Sequence, residues 1–483
     1  MIIPRTMSTQ HPDNVRMPLF ASRKIIGLED EIKEALWAYD IGIQEQMWDL
    51  EGKTTMSGVI FELLCRYPDF FQENPLGKKF FLTLRIPNPD VETNDKKLVS
   101  QAMAEIPRAF DTAKEFNKNH HGTTFPPIFE VILPMTTSIK QLYRVYHYYH
   151  SLVSPDKQIV KWLGEFMPKS INIIPLFEDM KSQLNGFKIV KRFMLEQHLL
   201  YMRVMLARSD PAINYGDLAA VLLINVALQR FHKLQTELGR DIYMIIGLAD
   251  GARGYFNPLK VDNVISGYPS CQTFTIQSSF KYDWQQNLVA EAVQKINSFK
   301  RGKPIPVDEE ESIYLMEKSA AAYQDQIPEL AAIINEINRF VPRRRLRKKH
   351  TALFGYSRQV GKVKLPRAIG VCCSLESIGL PLGIFGLHAL NPRDLRLVQR
   401  NYPSPNFEED KGDSFQYFNP NALSLLSPKL RKQVEKSLKL VDFEIHDDHR
   451  RITSDIMKCY QRQITEPIPG LIEEAGRIRK RLG

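Results

Sequence analysis

Short apolar runs recur along the chain, and each ends in polar residues. Most are four to eight residues long and several are rich in Ile and Val, which is typical of strands buried on both faces. Longer amphipathic stretches between them, such as Leu218–Leu238 and Trp284–Phe299, predict helices. The runs predicted to be strands are Ile128–Met135, Ile171–Phe177, Tyr201–Ala207, Ile242–Leu248, Thr273–Ile276 and Ala368–Cys372.

Alternating strands and helices over some 250 residues predict a parallel α/β fold. We expect a closed TIM-type (β/α)8 barrel, and an open doubly wound sheet is the alternative. The first hundred residues and the last eighty are predicted to be mainly helical, with patterns at Leu28–Asp49 and Leu471–Arg481. Because no long Gly/Ser/Pro linker divides the chain, we predict one unit over 1–483, with a barrel core at roughly 80–400 and helical additions at both ends.

The 483 residues carry a formal net charge of +10, which suits partners bearing phosphate or carboxylate groups and suits nucleic acid equally. Arg343–His350 (RRRLRKKH) is the strongest basic run. No aromatic residues interleave with its basic residues and no RNA-binding motif surrounds it, so we expect no nucleic-acid partner.

The five cysteines include no CxxC pair, so neither a disulfide framework nor a structural zinc site is expected. The N-terminus is polar and lacks the apolar stretch of a signal peptide. No run of about 18 apolar residues occurs, so we predict no membrane span. Together these features predict a cytoplasmic protein.

Acidic side chains follow two consecutive predicted strands at the point where each ends. Glu178 follows the run that ends at Phe177, and Asp210 follows the run that ends at Ala207. In a barrel, catalytic groups lie at the C-terminal ends of the strands. Carboxylates there can converge on a hard cation such as Mg²⁺. They could instead cap the helices that follow, and spacing alone leaves both interpretations open.

Seven segments, in order from residue 3 to residue 369, resemble archaeal-type phosphoenolpyruvate carboxylase. They are IPRTMSTQHPDN (3–14), MWDLEGK (47–53), FLTLRIPNP (81–89), FEVILPMTTS (129–138), YMRVMLARSDPAINYG (201–216), TFTIQSSFKYD (273–283) and PRRRLRKKHTALFGYSRQVGKVKLPRAI (342–369). The resemblance implies a barrel of the phosphoenolpyruvate/pyruvate superfamily. It also implies that bicarbonate adds to phosphoenolpyruvate through carboxyphosphate and a metal-stabilised enolate, giving oxaloacetate and phosphate. It further implies Mg²⁺ or Mn²⁺, an anaplerotic, carbon-dioxide-fixing role and a homotetramer.

The resemblance also implies roles for individual residues. His11, in STQHPDN, would handle carboxyphosphate, and Glu178 and Asp210 would bind the metal. Guanidinium groups bind planar and tetrahedral oxyanions bidentately, which suits this substrate, although for any one arginine taken alone a surface charge or a structural ion pair is the commoner interpretation. The other implied catalytic residues are Arg253 and Arg358, and the implied substrate-binding residues are Arg85, Arg208, Arg367, Lys281 and Gly483. For the basic tail that ends at Gly483, a frayed terminus is the alternative.

The loop after Ile242–Leu248 departs from the family pattern. The resemblance predicts roughly GxGSxPFRG there, but Gly247–Gly254 reads GLADGARG and carries Asp250. An acid among phosphate-facing amides repels a dianion unless a metal or an arginine offsets it. The loop could bind phosphate in altered form, Asp250 could bind metal, or activity could be weakened or redirected. This loop makes a catalytically altered relative one alternative function. The other alternative keeps the barrel and the metal and is another metal-dependent carbon–carbon lyase or mutase of the superfamily.

Overall fold

The computed structural model describes residues 2–22, 26–27, 29–50, 52–53, 57–92, 96–120, 122–251, 254–345, 359–360, 363–403 and 406–483. Eight parallel strands form a closed barrel in chain order, which confirms the predicted (β/α)8 fold. The strands are β1 (Thr6–Ser8), β2 (Glu45–Asp49), β3 (Phe81–Arg85), β4 (Glu130–Leu133), β5 (Asn172–Phe177), β6 (Tyr201–Ala207), β7 (Asp241–Gly247) and β8 (Cys271–Ile276). The barrel closes where Met7 of β1 lies opposite Glu45 of β2 on one side and Thr275 of β8 on the other.

Helices alternate with the strands and continue after the barrel. They are α1 (Glu29–Asp40), α2 (Val59–Arg66), α3 (Pro68–Glu73), α4 (Leu98–Asn119), α5 (Ile139–Val153), α6 (Lys157–Leu163), α7 (Met180–Glu196), α8 (Ser209–Tyr215), α9 (Asp217–Leu238), α10 (Val261–Gly267), α11 (Ser278–Tyr282), α12 (Gln286–Ser298), α13 (Glu309–Ile337), α14 (Ala368–Ser377), α15 (Pro392–Asn401), α16 (Phe407–Phe415), α17 (Pro428–Leu438), α18 (Asp447–Gln461) and α19 (Ile468–Arg479). A two-stranded antiparallel pair, β9 (Gln359–Val360) and β10 (Val363–Lys364), precedes α14.

The barrel lies earlier in the chain than predicted. Its strands fall between residues 6 and 276, so the expected limits of about 80 and 400 are wrong. The first three strands are only three to five residues long and carry buried polar side chains, so none of them contains an apolar run of four or more residues. The predicted helix Leu28–Asp49 is α1 followed by β2, and the predicted strand Ala368–Cys372 lies in α14. A fully buried apolar run does not distinguish a strand from a helix.

Charged side chains fill part of the barrel interior. The Arg203 guanidinium on β6 donates to Glu45 at 2.7 and 2.8 Å and to Glu130 at 2.6 Å. It also donates to the Thr273 hydroxyl at 3.1 Å. All of these side chains are buried. A guanidinium that neutralises carboxylates from two other strands ties β2, β4 and β6 together across the barrel.

A second apolar core lies outside the barrel, where α8, α9, α13 and α14 pack with the C-terminal helices. The chain end returns to the barrel, because the Leu482 amide donates to the Asp13 carbonyl at 2.7 Å. Within the described part of the chain, no single helix is long and apolar enough to span a membrane. One bent pair, α14 with the turns over Leu382–Ala389, meets that test by length and composition alone.

Candidate active site

His11 lies in the loop that follows β1, at the C-terminal end of the barrel. The Thr9 amide donates to the Ile276 carbonyl at 2.9 Å, which fastens this loop to the end of β8. Asp13 anchors the other side, because it accepts hydrogen bonds from the Ser279 amide at 2.7 Å and the Ser279 hydroxyl at 3.0 Å. The histidine is therefore carried by a loop that is fixed on both flanks.

Glu178 and Asp210 extend from adjacent parallel strands at the same end of the barrel. Glu178 directly follows β5, Asp210 lies in the first turn of α8 after β6, and Phe177 lies opposite Leu206. Both acids are half-buried, so both remain within reach of solvent. Mg²⁺ keeps several waters and needs only one or two protein carboxylates. Two acids from neighbouring strand ends therefore fit a divalent cation that completes its coordination with water and substrate oxygens.

In the part of the chain that the structure describes, no three His, Cys, Asp or Glu side chains come together as a ready-made metal cage. A buried structural site of the zinc type, with four protein ligands, is thus not built from those residues. The pair of acids suits an open site in which substrate supplies ligands.

Arg85 is the last residue of β3, and it lies beside Asp49, the last residue of β2. Its Nη1 donates to Asp49 Oδ1 at 3.0 Å, and both side chains are largely buried at the barrel mouth. The sequence predicted Arg85 but not Asp49. An acid that closes the apolar run of MWDLEGK at a strand end was the available signal.

Lys281 is buried beneath the His11 loop. Its Nζ donates to the Ser8 hydroxyl at 2.8 Å and to the Thr9 carbonyl at 3.0 Å, and lies 3.6 Å from a Glu34 carboxylate oxygen. Burial lowers the pKa of Lys281 to about 8, against the opposing effect of Glu34. The structure brings this predicted substrate-binding residue to the loop that carries His11.

Two other predicted arginines lie at different depths. Arg208 is fully buried, and its Nη2 donates to Asp217 at the start of α9 at 2.5 Å. It therefore contributes to the packing of β6 against α9. Arg367 is half-buried and occupies the N-cap position of α14, with no capping hydrogen bond from its side chain. Arg253 and Arg358 lie outside the described residues.

Gly483 packs against the backbone of α14. A Cβ at this position would lie 2.3 Å from the Cys373 amide nitrogen and 2.7 Å from the Ile369 carbonyl oxygen. The terminal residues are buried, so the interpretation of the tail as a frayed terminus is wrong. Asp250 faces this tail, because Arg481 lies 3.7 Å from its carboxylate.

The closed barrel and the ionisable side chains gathered at the C-terminal ends of its strands define a TIM-barrel enzyme. The family model described as phosphoenolpyruvate carboxylase matches residues 3–483. The chain belongs to the phosphoenolpyruvate carboxylase family, as the sequence motifs predicted.

Curated relatives named phosphoenolpyruvate carboxylase match most or all of the chain. The Methanospirillum hungatei protein is 41% identical and that of Methanothermobacter thermautotrophicus is 40% identical, each over 100% of both chains. The Pyrococcus abyssi protein is 45% identical over 86% of this chain and 89% of its own. Among solved structures, Haloferax volcanii malate synthase in complex with magnesium and glyoxylate is 11% identical, with a TM-score of 0.38. That match covers 70% of this chain and 94% of the malate synthase.

Proposed function

We propose that this protein is a phosphoenolpyruvate carboxylase, which converts phosphoenolpyruvate and bicarbonate to oxaloacetate and phosphate. Full-length membership of the family carries the proposal. It is supported by the position of His11, Glu178 and Asp210, which all follow strands at one end of the barrel. The cytoplasmic location and the homotetramer stay predictions from the sequence.

Glu178 and Asp210 would hold a divalent cation, Mg²⁺ or Mn²⁺. When bound, the cation supplies positive charge that stabilises the phosphate and the developing enolate of the substrate. The protein contributes the orientation of the two carboxylates. Glu178 is oriented by the Met135 amide, which donates to its Oε2 at 2.6 Å.

His11 would act on carboxyphosphate, which forms when bicarbonate attacks the phosphorus of phosphoenolpyruvate. An imidazole can accept the carboxyl proton as the bond between the carboxyl carbon and the bridging oxygen breaks, which releases carbon dioxide and leaves phosphate to take up that proton. The enolate carbon then attacks that carbon dioxide. A mouth closed to water is needed at this stage, because protonation of the enolate by water would give pyruvate.

Arg85 would bind an oxyanion at the mouth while it keeps its pairing with Asp49. The fork of N–H donors on a guanidinium matches the oxygens of a phosphate or carboxylate, and Asp49 orients this fork by accepting from Nη1. Lys281 would serve binding through the His11 loop, which it holds from beneath.

The deciding experiment is an assay coupled to malate dehydrogenase, in which oxaloacetate formation is followed as NADH oxidation. We expect activity that requires phosphoenolpyruvate, bicarbonate and a divalent cation together, and that EDTA abolishes. Consumption of phosphoenolpyruvate without bicarbonate would instead support a lyase or mutase of the same superfamily. Absence of oxaloacetate with all three components present would contradict the proposal.

A further inference from the structure

Asp250 is a buried carboxylate in the loop that follows β7, and only 3% of its surface is exposed. The Gly251 amide donates to its Oδ1 at 2.8 Å, and the Asn257 side-chain amide donates to its Oδ2 at 3.2 Å. Burial raises the pKa of Asp250, whereas Arg481 lowers it. The two hydrogen bonds also lower this pKa, so they favour the ionised carboxylate independently of Arg481.

Arg481, near the C-terminus, lies against this loop. Its Nη1 is 3.7 Å from Oδ1 of Asp250, and its Nη2 donates to Oε1 of Glu376 at 2.8 Å. A Cβ added to Gly251 would lie 2.6 Å from Nε of Arg481, so the guanidinium packs directly on the loop backbone. The φ of 68° at Gly251 also favours glycine. The contact is therefore both electrostatic and steric.

Arg479 completes a balanced cluster. Its Nε lies 3.0 Å from Oε2 of Glu376, and its Nη2 donates to the Leu482 carbonyl at 3.0 Å. The cluster thus contains two guanidinium groups and two carboxylates, with side chains at most 4% exposed. Removing one guanidinium would leave a buried carboxylate uncompensated.

Two further titratable side chains face this cluster and add no charge near neutral pH. Burial, with Arg479 and Arg481 beside it, holds the pKa of His449 well below its usual range. Burial raises the pKa of Tyr417. The charge on Asp250 is thus offset by arginines of the C-terminal segment.

We propose that Arg481 is a positioning residue that neutralises Asp250 and thereby keeps the loop after β7 able to accept the phosphate of phosphoenolpyruvate. This inference rests on the proposed function, because it takes that loop to face the substrate phosphate. The loop acid and the tail arginine act as one unit. Without the arginine, the acid repels the phosphate dianion.

The test compares Arg481→Met, Asp250→Asn and the double variant with the wild-type protein in the presence of Mg²⁺. We expect Arg481→Met to raise the KM for phosphoenolpyruvate about tenfold and to change kcat far less, because repulsion weakens binding. Asn keeps an acceptor for the Gly251 amide and removes the charge. Asp250→Asn in the Arg481→Met background should therefore return the KM to within about threefold of wild type.

Arg477→Met is the matched control, because it removes the same charge from an exposed position in the last turn of α19, four residues before Arg481. Its KM should stay at the wild-type value. A purely structural role for Arg481 would lower the melting temperature without rescue of KM by Asp250→Asn, and that result would overturn the inference. A second result would also overturn the inference. If Asp250→Asn alone lowers kcat strongly and needs much more Mg²⁺, Asp250 is a metal ligand.

If Arg481→Met does not fold, the comparison is between Asp250→Asn and the double variant. Equal KM values support the inference, because Arg481 then acts through Asp250, and a difference of more than about threefold overturns it. If wild-type protein makes no oxaloacetate, the proposed function fails by itself. The same variants are then compared by calorimetric titration of the Mg²⁺-loaded protein with phosphoenolpyruvate, where Kd replaces KM.

Discussion

The main-chain amide of Met135, in the loop after β4, donates a 2.6 Å hydrogen bond to Oε2 of Glu178, which follows β5. Asn88, after β3, holds the same loop, because its side-chain amide donates to the Pro134 carbonyl at 2.8 Å and to the Met135 carbonyl at 3.3 Å. Three consecutive strand ends are thus linked at the proposed metal ligand. This linkage orients one carboxylate oxygen before any cation binds.

Glu178→Gln should raise the Mg²⁺ concentration needed for half-maximal activity and lower kcat/KM by about 100-fold or more, because a neutral amide is a poor ligand for a hard cation. The measurement is a Mg²⁺ titration of oxaloacetate formation. Asp179→Asn is the matched control, since Asp179 caps α7 and Asn is an equally good cap. An unchanged titration for Glu178→Gln would remove this residue from the metal site.

His11→Asn should lower oxaloacetate formation by about 100-fold or more, the usual contribution of a general acid or base. Binding of phosphoenolpyruvate, measured by calorimetry, should persist, because the imidazole is proposed to act after binding. His120→Asn is the control, since His120 is an exposed residue that contacts Gln72. Full oxaloacetate formation by the His11→Asn protein would refute the role.

Lys281 gives a pH-dependent prediction, because burial lowers its pKa to about 8. Loss of the ammonium charge weakens its attraction to Glu34 beneath the His11 loop. We therefore expect kcat/KM to fall as the pH rises through about 8. Lys281→Arg, which stays protonated, should move this decline to higher pH. The same alkaline decline in both proteins would show that another group is responsible.

Lys281 affects the free energy of unfolding in the opposite direction to its effect on kcat/KM. Its folded-state pKa lies below the ordinary value, so between about pH 8 and pH 10.5 the folded protein binds fewer protons than the unfolded chain. The contribution of Lys281 to the free energy of unfolding therefore rises over this window. Melting temperatures measured between about pH 8 and pH 10.5 therefore show whether a loss of activity arises at the site or from unfolding of the protein.

Arg203→Met should destabilise the barrel by about 3–5 kcal/mol, because it leaves the buried carboxylates of Glu45 and Glu130 without their cation. The urea midpoint measures this change. The control is Arg66→Met, which breaks an exposed pair with Glu62 and should cost about 1 kcal/mol or less. Equal midpoints for the two variants would contradict the assignment of Arg203 as an interior support.

Sequence patterns correctly predicted a long strand and a long helix in which most residues are buried. The strand Tyr201–Ala207 was predicted residue for residue, and the helix Leu218–Leu238 within one residue of α9. A seven-residue strand in which Arg203 is the one charged residue and a long apolar helix each carry a local pattern that needs no partner to be recognised. The motifs likewise identified the family, and the predicted strands placed Glu178 and Asp210 at strand ends.

Only the tertiary structure decided where the barrel begins and what each charged side chain contacts. Strands β1 to β3 are short, and their polar side chains are buried against one another. A short stretch of sequence does not show this burial, because other strands of the barrel cause it. The pairings of Arg481 with Asp250 and of Lys281 with Glu34 join residues far apart in the chain. Such charges look like solvated surface residues in the sequence, because a side chain's partner is set by the packing of whole elements and not by its neighbours along the chain.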